Sequence, residues 1–188
     1  LAGVIILMLY TNLLTTVLSV VSMILYGFVY TPLKRVGPIA VFVGAIPGAL
    51  PPLLGWVAAT GGITHEALII FGIQFIWQFP HFWAIAWVLD DDYKLAGFRL
   101  LPTTKRDKTS AAFTLASCLL LIPVSLLPVF YGFGGYAVGL ISLVAGCWFA
   151  WLALQLYLKL DIPSARKVMF CSFFYLPLVQ LALLFNLK

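Results

Sequence analysis

Charge is what this sequence has least of. Only 9% of its 188 residues are Asp, Glu, Lys or Arg, against about a quarter in an average soluble domain. Hydrophobic residues make up 63%, and the mean hydropathy is +1.10. A water-soluble fold is excluded, and the chain reads as an integral membrane protein. There are two histidines, and the three cysteines form no CxxC pair, so no zinc or iron–sulfur site is indicated. Cys118, Cys147 and Cys171 fall one to a span in apolar surroundings and read as small core-filling hydrophobes. No soluble domain, linker or low-complexity region is present; the longest polar stretch is Asp90 to Ser110. The chain starts with Leu1 inside an apolar run, without a signal-peptide layout, which predicts an inside loop before it.

What is there is a series of uncharged runs, from Leu1 to Leu33, Val36 to Thr64, Ala67 to Leu89, Thr109 to Leu158 and Val168 to Leu187. A spanning helix needs about 20 residues. Tyr131-Gly132-Phe133-Gly134-Gly135 divides the fourth run and Thr11-Asn12 the first. The expected architecture is an all-α transmembrane bundle, with a truncated span at 1–10 and full spans near 13–30, 39–59, 67–89, 109–130, 136–158 and 168–187. A β-barrel would require alternation with polar residues, which is missing. Ten of the eleven basic residues fall on alternate loops, with only Lys188 on the other side, so the basic loops belong inside. Topology and anionic lipid account for the net charge of +5, and no nucleic-acid partner is implied.

The charge-free run Ala67 to Leu89 carries Gln74, Gln78 and His81 and ends at Asp90-Asp91-Asp92. At about 100° per residue, Gln78, His81 and Asp92 project within about 40° of Gln74. His81 would then lie about 16 Å deeper than Asp92. An intramembrane ionisable residue marks function by default, although histidines and glutamines also serve as helix-packing groups. Trp83 and Trp87 read as interfacial belt residues. Three anions ending a helix oppose its dipole and one another. Mg²⁺, which takes one or two carboxylates plus water and phosphate oxygens, suits the position. The alternative is a solvated turn paired to Lys94 and Arg99. On the same inside face, Lys34 and Arg35 are either anchors or acceptors of a diphosphate or carboxylate. Gly44 and Gly48 predict close helix approach, and Pro51-Pro52 predicts a helix break lining a cavity.

Four segments carry a resemblance. Tyr30-Thr31-Pro32-Leu33-Lys34-Arg35, Gly48-Ala49-Leu50-Pro51-Pro52 with Gly55-Trp56, Trp77-Gln78-Phe79-Pro80-His81-Phe82-Trp83, and Asp92-Tyr93 with Ala96-Gly97 and Leu100-Leu101-Pro102 resemble the haem O synthases. These protohaem IX farnesyltransferases are UbiA-type intramembrane prenyltransferases. The likeness is dense from Tyr30 to Pro102 and rests elsewhere on hydrophobic pattern. It implies a nine-helix bundle with a central cavity open to the inside and to lipid. About seven of those helices would lie in residues 1–188 as a single domain.

The resemblance also implies Mg²⁺-assisted ionisation of farnesyl diphosphate and farnesyl addition to a vinyl group of haem B, giving haem O for terminal oxidases. Under it, Asp92, directly before Tyr93, is the principal metal ligand and Asp91 the second. His81 faces the haem, orienting the macrocycle or ligating its iron. Lys34 and Arg35 take diphosphate or a haem propionate, with Tyr93 beside them in the catalytic group. Tyr30, Thr31, Gln74, Trp77 and Gln78 line the substrate site. The implied location is the bacterial inner (plasma) membrane ahead of the mitochondrial inner membrane, with the basic loops cytoplasmic.

Some positions depart from the family. Gly37 stands where Thr or Ser is common, Ala40 where some members have Asn, and Leu101 at or beside a usual Met. The family's first Asp-rich motif is missing, which fits a chain beginning after the second family span. As it stands, the sequence is expected to lack half a metal site and to be inactive. A UbiA-type enzyme for a quinone precursor or chlorophyll would share the aspartates but should not need His81. A transporter or assembly factor would use the polar stripe without chemistry.

Overall fold

The computed structural model describes residues 2–186, so the outside placement expected for Lys188 lies outside the described residues. Six helices are long and apolar enough to cross a membrane. The chain is therefore a multi-pass membrane protein, and no strand occurs among the described residues. Helix α1 (Ala2–Tyr10) stops where Asn12 caps α2 (Leu13–Ile24). The Asn12 Oδ1 accepts from the Thr15 N–H at 2.9 Å, and its Nδ2 donates to the Val57 carbonyl at 2.8 Å. The same rod continues through a π-helical stretch, Leu25–Tyr30, and a last turn, α3 (Thr31–Leu33).

Then follow α4 (Ile39–Thr60), α5 (His65–Val88), a short α6 (Asp90–Leu95), α7 (Lys108–Phe130), α8 (Tyr136–Lys159) and α9 (Ile162–Phe185). Gly61, at φ +83°, ends α4 in the left-handed conformation that glycine adopts without strain. The last helix starts six residues before its expected position at 168. Asp161 accepts the Ser164 N–H at 2.8 Å and Pro163 sits in the first turn, so the capping signal carries the helix through Arg166 and Lys167.

The break expected at Pro51-Pro52 does not occur; α4 is continuous through Pro47, Pro51 and Pro52. Pro51 and Pro52 supply no N–H, which leaves the carbonyls of Pro47 and Gly48 without helical donors. Neighbouring helices supply them. Gln74 Nε2 of α5 donates to the Gly48 carbonyl at 2.8 Å, and Ser22 Oγ of α2 donates to that of Pro47 at 3.4 Å. This is how a bundle tolerates proline at membrane depth. Gly44 and Gly48 likewise admit side chains rather than a helix backbone. A Cβ on Gly44 would lie 2.6 Å from the Tyr30 ring, and one on Gly48 would lie 2.4 Å from Gln78 Oε1.

Helix α5 is central, packed against α4, α7 and α9, while α8 joins α7 to α9 and α2 flanks α4. That centrality corrects the belt assignment of Trp83 and Trp87, which are 2% and 0% exposed. Trp83 meets Phe42 of α4 and Phe113 of α7, so this end of α5 offers its indoles no lipid face. Among the cysteines, Cys118 is buried and Cys171 half-buried, but Cys147 is exposed on α8 rather than filling the core. The outer surface is apolar, with Phe28, Leu140, Trp148 and Phe174 exposed, as a lipid-facing surface requires.

Candidate active site

The polar stripe of α5 lies between α4 and α9 and ties them together. Gln74 donates to the Gly48 carbonyl, and its Oε1 accepts from Gln180 of α9 at 2.7 Å. Gln78 fills the notch at Gly48 and donates to the Ala45 carbonyl at 3.4 Å. Nearer the acidic end, buried His81 places Nδ1 2.8 Å from the Ser172 hydroxyl of α9. Its ring stacks on Trp77 with centroids 4.4 Å apart, and the Trp77 indole N–H donates to the Ser172 carbonyl at 2.9 Å. Phe82 and Phe173 present their rings edge-on. The His81 Nε2 has no protein partner among the described residues, yet it is not sealed off.

The aspartates are arranged differently from the sequence expectation. Leu89, with φ −102° and ψ +19°, interrupts α5, so Asp90 to Asp92 open α6 rather than close α5. The helical projection therefore does not extend from His81 to Asp92. In the first turn of a helix, carboxylates are favoured by the dipole. Cations separate the three. Buried Asp90 pairs with Lys94 at 2.6 Å and with Arg106 at 3.7 Å, and Asp91 pairs with Arg106 at 3.0 Å. Arg106 also donates to the Trp87 carbonyl at 2.7 Å, which fixes the 90–106 turn under α5. It holds the position expected for Arg99. Asp92 is exposed, and its carboxylate has no partner among the described residues. Among the described residues, no three His, Cys, Asp or Glu side chains converge as a metal cluster.

Tyr30 and Lys34 meet where the π-helical stretch runs into α3. The Lys34 ammonium lies 4.5 Å from the Tyr30 ring centroid and 6.0 Å from that of Tyr26. Tyr93 is close enough to Tyr30 for their hydroxyls to interact electrostatically. Burial raises the Tyr93 phenol above its ordinary pKa. Arg35 is exposed. The Thr31 hydroxyl donates to the Tyr26 carbonyl of its own rod at 2.9 Å.

The description "UbiA prenyltransferase family" belongs to the family profile that matches residues 1–176. The chain belongs to that family. It is similar to the protoheme IX farnesyltransferase of Cytophaga hutchinsonii, 48% identical over 96% of this chain and 64% of that protein. The protoheme IX farnesyltransferase of Christiangramia forsetii is 44% identical over 89% and 57%. The human mitochondrial protoheme IX farnesyltransferase is 36% identical over 97% and 41%. The chain thus spans 57% to 64% of the length of the first two relatives. No solved structure matches.

Three residues of this candidate site escaped the sequence reading. Ser172 and Gln180 are polar residues in an otherwise apolar span, and the logic that singled out Gln74 and His81 would have found them. Arg106 carried no such signal, because it stands among Lys105, Asp107 and Lys108 in a charged turn.

Proposed function

We propose that this chain serves in transfer of a farnesyl group from farnesyl diphosphate to a vinyl group of haem B, giving haem O. The observation that carries the reading is His81, held deep in the bundle by Trp77 and Ser172 with its Nε2 unpartnered. With Nδ1 held by Ser172, the free Nε2 leaves the ring able to bind a ligand. The relatives' names support the same reaction.

The donor chemistry fits an Mg²⁺ ion at Asp92 with Asp91 beside it. Asp92 offers a free, exposed carboxylate, and Mg²⁺ needs only one or two. Bound there, the ion would neutralise charge on the departing diphosphate. Lys34 and Arg35 are cations for the diphosphate or a haem propionate, with the protonated Tyr93 as a further donor near Tyr30. Gln74, Gln78 and Trp77 spend their polar groups on the protein, so they act as the wall of the substrate site. The apolar interior suits an allylic cation that water would quench. The proposed setting is a bacterial inner membrane with the basic loops cytoplasmic and surrounding lipid as a partner.

His81→Ala in the protein in its native membrane tests the proposal by haem O formation. We expect a loss of at least roughly 100-fold, with expression and thermal stability retained. Near-normal activity in a well-folded variant overturns it.

A further inference from the structure

A neutral imidazole can carry its proton on either ring nitrogen, and its hydrogen-bond partners decide which. Ser172 decides it for His81. The Ser172 hydroxyl has one proton, which it donates to the carbonyl of Met169, a group that can only accept. The same oxygen lies 2.8 Å from His81 Nδ1. With its proton committed to Met169, it can only accept there, so His81 must donate from Nδ1. Nε2 is then a bare lone pair. Trp77 completes the cradle, since its indole is fixed by the Ser172 carbonyl and lies flat on the imidazole at an interplanar angle of 17°.

We propose that Ser172 is a positioning residue that locks His81 as the Nδ1–H tautomer and presents the Nε2 lone pair as a ligand to haem iron. A lone pair cannot donate to a propionate, so the geometry selects iron ligation over orientation of the macrocycle through a hydrogen bond. The haem part rests on the function proposed above; the tautomer lock does not.

The test uses the full chain, labelled with ¹⁵N-histidine in lipid bilayers at neutral pH. Signals are assigned by loss in His65→Gln and His81→Gln. The expected result is a protonated Nδ1 and an unprotonated Nε2 for His81, retained in Ser172→Thr and mixed between tautomers in Ser172→Ala. A protonated Nε2 in the unaltered chain overturns the lock, and so does an unchanged tautomer in Ser172→Ala. A parallel protohaem titration should give a histidine-ligated spectrum that His81→Gln abolishes. Haem affinity should weaken roughly tenfold in Ser172→Ala and recover in Ser172→Thr. A locked tautomer with a haem spectrum indifferent to His81→Gln overturns iron ligation and the haem-facing reading. A histidine-ligated spectrum from an unlocked ring overturns only the role of Ser172.

Discussion

Gln74 donates its side-chain N–H to the carbonyl oxygen of Gly48 at 2.8 Å, the carbonyl that Pro52 leaves without a helical donor. One hydrogen bond thus repairs a proline-interrupted helix and anchors the central helix to it, while the other end of the same amide receives Gln180 of α9. At Gln74 the polar stripe is therefore structural, two turns from the His81 proposed to serve the chemistry.

This relationship predicts coupling. Gln74→Leu should destabilise the bundle by about 0.6–2 kcal/mol, the span of interhelical hydrogen bonds in membranes. Pro52→Ala restores a backbone donor to Gly48, so the same Gln74→Leu change should cost measurably less in that background. Thermal unfolding of the four proteins in detergent gives the cycle, and strict additivity would remove the proposed repair.

Gly48→Ala should push aside the buried Gln78 amide, whose Oε1 would lie 2.4 Å from the added Cβ, and break its bond to Ala45. Overpacking of this kind costs about 1–3 kcal/mol, and Gln78→Ser should recover most of it. Gly44→Ala should displace the Tyr30 ring, 2.6 Å from the added carbon, and reduce prenyl transfer more than stability. Melting temperature and activity measured on the same preparations separate the two glycines.

The aspartates should divide by role. Asp92→Asn is expected to lower the rate by roughly 100-fold at unchanged stability and to raise the Mg²⁺ requirement. Asp91→Asn should have a smaller effect, since Arg106 already holds that carboxylate at 3.0 Å. Arg106→Ala should destabilise by about 1–3 kcal/mol, because buried Asp90 is left with Lys94 alone. A dead Asp91→Asn beside an active Asp92→Asn would move the metal to Asp91.

Asp107 caps α7 through the Ser110 N–H at 2.8 Å and accepts the Thr103 hydroxyl at 2.8 Å. Burial pushes its carboxyl pKa up, but the hydrogen bonds from Ser110 and Thr103 and the nearby Lys105 charge outweigh this and hold it below its ordinary value of 3.8. A depressed pKa means the charged form is bound more favourably in the folded state. Its stabilisation is present above that ordinary value and is lost as pH falls through the lower folded one. Asp107→Asn keeps a capping side chain and should melt below the unaltered chain at neutral pH, with the gap closing in acid. Asp107→Ala removes the cap as well and should cost about 1 kcal/mol more.

Most of the fold was legible because membrane spans are set by local quantities. Runs of uncharged residues, the turn at Tyr131 to Gly135 and the break at Thr11-Asn12 located the helices to within a few residues. The start of α9 departs from the expectation because Arg166 and Lys167 have the charge of loop residues, whereas the Asp161 cap starts the helix before them. For the candidate site the sequence supplied a list of polar residues but not their arrangement. Trp83 and Trp87 have belt spacing in the sequence, yet α4, α7 and α9 surround their helix, and no local pattern encodes that.

The sequence by itself determined that this is a helical membrane protein and which residues bring polarity into the bilayer, because both follow from transfer free energies counted residue by residue. Only the tertiary structure decided that Gln74 mends the Pro52 site, that Arg106 pairs with Asp91 rather than Asp92, and that Ser172 faces His81. Those outcomes depend on which donor from a distant helix reaches a group that its own helix leaves unsatisfied.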